Sequence, residues 1–359
     1  TNGKCCRPET QSFTTYLNIM TIGVNGFIGE RLIEAREARG IMTQSSLAEQ
    51  LAVSNNTINS YERNKSKPRP ETIADIAKHL KVKEFFFFMP FQKKVSNTIF
   101  WRSRHITTKE RRIVAERKFG WSKWLIDEYL KSFMDMPQLE LPKRKETGVP
   151  DNPNNLTNNQ IEQIAYAVRQ FWGLGEFPID NMVALLENNG IMLTYGLVNS
   201  DRLDAFSNIS EYDNSYHIFL STDKQSAVRS RFDAAHELGH LVLHSHLPNG
   251  YINDKNHNLI EHQANRFASA FLLPLDAFRK DVWMTSIEAF KVLKEHWKVS
   301  VGAIIKRCED IGLFGDDESK AKRMWIKYKR EWKIIEKDNF EIEQPQLMKR
   351  CIDALLDAK

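Results

Sequence analysis

The sequence predicts a mainly α protein with a small β-sheet. It divides into an all-α front domain at 26–91, a helical linker at 92–150, an α+β domain at 151–315 and a C-terminal helical extension at 316–359. Three observations predict this. Short apolar-periodic segments, each with its own start and stop signals, fill the front of the chain. Pro137, Pro142, Pro150 and Pro153, with Asn and Gly between them, break the chain near residue 150. Only two stretches alternate as strands, Ile191–Tyr195 and Tyr216–Leu220, and helical patterns surround both.

Residues 1–25 read as a disordered tail. Its first nineteen residues are polar and aperiodic, precede Met20 and carry no assigned function. Ile28–Arg39 places Ile28, Leu32 and Ala35 on one side and stops at Gly40. Thr43 caps a helix running to Leu51, and Ser54 caps one running to Glu62. Pro68 and Pro70 mark a loop before a helix at Glu71–Leu80, and Phe85–Phe88 reads as a closing helix or core plug. Thr107–Phe133 reads as one long helix, strongly basic at its start. Beyond the linker come helices at Gln160–Phe171 and Ile179–Asn188, the latter stopped by Gly190. Helices follow at Ser226–His244 and Ile260–Leu272, and the chain past Asp276 reads as helical throughout.

The 359 residues are 42% hydrophobic and 27% charged, which is ordinary for a globular protein and excludes a disordered or fibrous class. The longest apolar run, Phe85 to Phe91, is far too short to span a bilayer, so no membrane partner is expected. Cys5, Cys6, Cys308 and Cys351 show neither finger nor disulfide spacing. With no secretory pattern at the start, this suits a reducing cytoplasm. The net charge of +5 is uneven: residues 20–149 carry +9, and residues 150–359 carry −5. A basic front half points to a polyanion there.

Gln44 to Tyr61 fits a helix-turn-helix. Ala48 is small where two helices meet, Leu47, Leu51, Val53 and Ile58 face the core, and Ser54 starts the second helix. Asn55, Asn56 and Thr57 open that helix, and asparagine can pair with adenine through two hydrogen bonds in the major groove. Gln44, Ser54, Asn59, Arg63 and Lys65 complete the candidate contacts to a double-stranded operator. Arg63 and Lys65, like Lys67 and Arg69, suit phosphates. The segment resembles the Cro/phage-repressor type of helix-turn-helix domain, although Ala52 and Lys81 stand at two positions often occupied by glycine there. DNA readers of this kind reward two-fold symmetry, so a homodimer is a candidate assembly.

His236-Glu237-Leu238-Gly239-His240 is the most specific chemical signal. Two histidines four apart on a helix present both rings to one metal ion, and a glutamate after the first can reach water bound to that ion. On a helical wheel, Val228, Phe232, Ala235, Gly239 and Val242 form a buried stripe, with the histidines beside it facing a cleft. A catalytic site needs a third ligand and an open position. Downstream candidates are His244, His246, His257, Glu261 and His262. Glu261 is favoured because it opens a second apolar-striped helix, with Asn265 one turn later placed to bond a ligand from behind. Zinc lowers the pKa of its water to about 7; Glu237 would take the proton. Tyr195, Tyr216, His217 and His262 are candidate donors to an oxyanion. Manganese is the alternative to zinc.

Residues 231–241, with Glu261-His262-Gln263-Ala264-Asn265-Arg266-Phe267-Ala268 and Leu272-Leu273-Pro274, resemble the ImmA/IrrE family of metallopeptidases. Asp233 departs from the family, which usually has threonine. The resemblance implies a zincin-like core with His236, His240 and Glu261 as ligands and Glu237 as catalytic base. It also implies a helix-turn-helix repressor as substrate, either a partner or this chain itself, whose cleavage releases silenced genes. The alternatives are a non-cleaving repressor whose metal domain is a sensor, and an antitoxin-like regulator.

Overall fold

The computed structural model describes residues 23–91, 99–101, 108–199, 205–209, 215–248, 251–253, 255–315, 318–332, 336 and 339–358. The tail expected before residue 26 falls almost wholly outside the described residues, as do Cys5 and Cys6. The chain forms two compact units: Thr1–Lys94 with Arg112–Arg117, and Val95–Arg111 with Lys118–Lys359.

The front unit contains α1 (Gly29–Ala38), α2 (Gln44–Gln50), α3 (Asn55–Glu62), α4 (Pro70–Leu80) and a 3₁₀ turn at Glu84–Phe88. Thr43 accepts a hydrogen bond from Ser46 N and Ser54 from Thr57 N, so each fills an orphan donor at its helix start. Leu32, Ala35, Leu47, Ala48, Ile58, Ile73, Ile76, Leu80 and Phe87 are buried. Leu51 and Val53, expected in the core, are only half-buried. Of the phenylalanine run, Phe87 plugs the core while Phe85 is exposed. At Gly29 an added Cβ would lie 2.3 Å from Tyr61 O and 2.5 Å from Glu62 O, so α1 and α3 meet through a residue that must lack a side chain.

Ala52 and Lys81 have φ of 53° and 52°, the left-handed conformation that glycine adopts without cost. The sequence departs from glycine here, yet the backbone keeps the turn. A Cβ in this region costs roughly 1–2 kcal/mol, and glycine's freedom in the unfolded chain returns about half of that. Ala52→Gly is therefore expected to stabilise the front unit by about 0.5–1 kcal/mol, read as a raised denaturant midpoint; a lowered midpoint would contradict the strain argument.

In the back unit a four-stranded sheet has the order β1-β3-β4-β2. The strands are β1 (Ile99–Trp101), β2 (Ile191–Gly196), β3 (Ala205–Ile209) and β4 (Tyr216–Ser221). β2 runs parallel to β4, while β3 lies antiparallel to both β4 and β1. β1 and β3 were not expected. In β3, Ser207 and Asn208 are buried polar residues in a short run, so the segment lacks the alternation that marked β2 and β4.

The helices are α5 (Lys109–Trp124), α6 (Arg144–Thr147), α7 (Asn158–Phe171), α8 (Met182–Asn188), α9 (Ala227–His244), α10 (His257–Leu272), α11 (Leu275–Asp281), α12 (Ile287–Trp297), α13 (Val301–Asp310), α14 (Glu318–Glu331) and α15 (Leu347–Asp357). The single helix expected at Thr107–Phe133 instead ends its regular part at Trp124. It continues as a π turn at Leu125–Tyr129 and a 3₁₀ turn at Leu130–Ser132. The region past Asp276 is not helical throughout either: residues 339–346 have no regular secondary structure, and Glu343 there accepts from Met182 N and Val183 N and pairs with Arg231 of α9. None of these helices is long and apolar enough to cross a membrane, among the described residues.

α9 packs between β3 and β4 on one side and α10 on the other, and α10 also lies along α7. Burial therefore runs almost round α9, where a single stripe was expected, and Phe232 and Val242 of that stripe are only half-buried. Gly239 permits the close approach of α10: a Cβ there would lie 3.1 Å from both Ala264 O and Phe267 Cδ1.

Candidate metal centre and helix-turn-helix surface

His236 and His240 stand one turn apart on α9, with Nε2 atoms 3.0 Å from each other. Glu261, in the first turns of α10, places Oε2 3.3 Å from His236 Nε2 and Oε1 3.2 Å from His240 Nε2. All these donor atoms lie within 4.8 Å of one another. Both histidines and Glu237 are at most 1% exposed, so they occupy an enclosed centre where a cleft wall was expected. Burial pushes the Glu261 carboxyl up, but its bonds to His236 and His240 outweigh that and hold it well below the usual carboxylate range.

Hydrogen bonds behind the rings orient them. Asn265 Oδ1 lies 3.0 Å from His236 Nδ1. His240 Nδ1 lies 3.2 Å from His244 Nδ1, and His244 Nε2 lies 3.0 Å from Gln263 Oε1. Two imidazole nitrogens and a carboxylate thus converge on one point. The donor set, two imidazoles and one carboxylate, is that of a catalytic divalent site.

Among the other downstream candidates, His246 Nε2 lies 3.3 Å from the Asp151 carbonyl and His262 Nε2 lies 3.3 Å from Asn158 Oδ1. His257 lies at the start of α10 and outside the three-residue group. His244 is neither a free surface residue nor a member of that group; it backs His240. Burial, and then His240, push its pKa down to about 3, so it is neutral. Asp233, the departure from the resembled family, is buried and pairs with Arg229 at 4.0 Å.

Glu237 Oε2 accepts from Ser207 Oγ at 2.5 Å, which ties the helix to β3. Ser207 was missed, because only pairing of β3 beside α9 brings it to Glu237. Of the four candidate oxyanion donors, Tyr195 hydroxyl is 2.9 Å from Ser230 Oγ, and His217 Nε2 is 2.9 Å from Ser215 Oγ. His262 bonds Asn158. Tyr216 differs: its hydroxyl is buried and has no hydrogen-bond partner among the described residues. Burial, and then the charge of Glu237, raise its pKa well above the ordinary value, so it keeps its proton for donation.

In the front unit Glu62, buried at the end of α3, accepts from Arg36 Nε at 2.8 Å and from Gln44 Nε2 at 2.6 Å. Asn59 Nδ2 donates to Gln44 Oε1 at 2.9 Å. Two of the candidate DNA contacts, Gln44 and Asn59, are therefore half-buried and bonded to each other, locking α2 to α3. Thr57 is also half-buried, with its hydroxyl 2.8 Å from Ser54 Oγ. Ser54, Asn55, Asn56, Arg63 and Lys65 are exposed.

Fold and site together define a helix-turn-helix domain joined to an α+β domain of metallopeptidase type. Residues 32–87 match the helix-turn-helix family model, and residues 186–309 match that of the IrrE N-terminal-like domain, a peptidase family. The chain thus carries a helix-turn-helix followed by an ImmA/IrrE-type domain, which supports a DNA-binding regulator with a peptidase-family domain that implies a divalent metal. Comparison with curated proteins gives no match.

Proposed function

We propose that the chain is a cytoplasmic, DNA-binding regulator carrying a zinc-dependent endopeptidase that cleaves a helix-turn-helix repressor, a partner or this chain itself, to release silenced genes. The observation that supports this reading most is the convergence of His236, His240 and Glu261, with Glu237 one residue from the first histidine. The reading divides the chain into a reader at 26–91, a helical linker at 92–150, a peptidase domain at 151–315 and a helical extension at 316–359. Asn55, Asn56, Arg63 and Lys65 meet the operator, with Ser54 and Thr57 at the helix start and Gln44 and Asn59 shaping the surface.

His236, His240 and Glu261 hold the cation, zinc by preference and manganese as the alternative. The bound cation supplies Lewis acidity at the scissile carbonyl. Glu237 takes the proton of the attacking water and returns it to the leaving amine. Ser207 holds Oε2 of that base in place. Tyr216 donates to the oxygen on which charge develops. Tyr216→Phe is then expected to lower kcat by about 10²–10³-fold with zinc affinity unchanged; unaltered kcat would return Tyr216 to a packing role.

The test of the whole reading is incubation of the zinc-loaded chain with candidate repressors, followed by mass spectrometry of the products. Discrete fragments that vanish on chelation support it. Intact substrates together with metal-dependent operator binding favour the sensor alternative, which the full burial of Glu237 also favours. Operator binding should weaken steeply with salt; binding indifferent to salt would favour an antitoxin-like adaptor.

A further inference from the structure

We propose that α14 is a second contact with duplex DNA, in which the cations on its outer face hold backbone phosphates without reading bases. The proposal rests on reading the front unit as the DNA-binding domain of the same chain.

Residues 150–359 carry a net charge of −5, and α14 runs against that balance. From Glu318 to Glu331 it holds six cations and two acids. Helical periodicity sorts its residues into two faces. Ala321 and Met324 are buried, Trp325 and Tyr328 are half-buried beside them, and all four pack on the core of the back unit. Lys322, Arg323, Lys327, Lys329 and Arg330 are exposed. At about 100° per residue they share an outer arc of roughly 160°, together with the exposed Ile326. The two acids stand at the helix ends, and Glu331 pairs with Lys291 of α12.

Other exposed lysines on helices of this unit meet a carboxylate three or four residues away: Lys306 pairs with Glu309 and Asp310, and Lys349 with Asp353. On α14, Lys322, Lys327, Lys329 and Arg330 have no carboxylate within ion-pair reach among the described residues. Arg323 and Lys327 stand four apart, and Lys327 and Arg330 three apart, so like charges adjoin along the helix and weaken it. The helix dipole favours cations in the last turn, which accounts for Lys329 and Arg330. It gives no reason for Lys322, Arg323 and Lys327. A row of phosphates supplies the missing counter-charge. The face offers ammonium and guanidinium groups and one aliphatic side chain, so it suits backbone contact without base readout.

The test uses the full-length chain and a mixed-sequence DNA duplex, with affinity followed by fluorescence anisotropy as salt is raised. Each phosphate contact contributes about 0.9 to the slope of log affinity against log salt. Lys322→Gln/Lys327→Gln/Arg330→Gln should make that slope shallower by about 2–3. Glutamine keeps helix propensity at these exposed positions, so the unfolding temperature should stay near that of the unaltered chain. The control Lys145→Gln/Lys255→Gln/Lys280→Gln removes the same charge at exposed positions off α14 and should change the slope far less. An unchanged slope in the α14 variant overturns the proposal. An equal change in the control also overturns it, by reducing the effect to net charge. So does loss of binding to anionic phospholipid vesicles with the DNA slope unaltered, which would assign the face to a membrane surface. Arg63→Gln/Lys65→Gln separates the two readings. Binding weakened there but not in the α14 variant overturns only the second contact, and the reverse overturns only the front-unit reading.

Discussion

Glu237→Gln is expected to slow cleavage of a repressor substrate by about 10²–10⁴-fold, the usual contribution of a positioned general base. The exchange keeps the volume of a side chain that is 0% exposed, so it opens no cavity. The amide oxygen can still accept from Ser207 Oγ, which preserves the tie to β3. What disappears is the ability to take a proton. Glu237 also stands outside the group formed by His236, His240 and Glu261, so zinc affinity should stay near that of the unaltered chain. Rate and affinity therefore separate: the first collapses and the second holds. Cleavage at the original rate with zinc still bound would assign the base elsewhere.

Glu261→Gln is expected to act the other way, through binding. It removes the only anionic donor of the group while leaving the two imidazoles in place. Zinc affinity should fall by more than the about 10–100-fold that loss of an outer hydrogen bond costs. Stability supplies a second readout. A ligand at about 1,000 times its Kd stabilises the folded state by about 4 kcal/mol. Saturating zinc should therefore raise the unfolding temperature of the unaltered chain and leave that of Glu261→Gln nearly unchanged. Without metal, the variant is expected to be somewhat less stable than the unaltered chain at neutral pH, since it loses the charged carboxylate that His236 and His240 hold ionised. Zinc stabilisation of equal size in both would remove Glu261 from the ligand set.

Several parts of this arrangement were legible in the sequence because they depend on local periodicity. Two histidines four apart on a helix are neighbours whatever surrounds them, and Glu261 and Asn265 share one side of α10 by the same rule. Thr43 and Ser54 announced their helices because capping is decided within four residues. The parts that escaped depend on distant pairing. β3 carries Ser207 and Asn208, two buried polar residues in succession that break the alternation, and Ser207 has meaning only once Glu237 lies above it. The role of His244 needs Gln263 and a carbonyl at Pro153, two separate stretches of chain. Burial round the whole of α9 also defied the wheel, because the wheel assumes one packed face and α9 has the sheet on one side and α10 on the other. The irregular residues 339–346 show no periodicity, and only the pairing of Glu343 with Arg231 and the start of α8 reveals what they hold.

X-ray absorption at the zinc edge of the loaded, full-length chain tests the central claim most directly. The expected spectrum is a single zinc per chain with two imidazole nitrogens at about 2.0–2.1 Å and carboxylate oxygen at about 2.0–2.2 Å, and with the imidazole signal halved in His240→Ala. A zinc shell made of oxygen alone, or one unaffected by loss of His240, would contradict it.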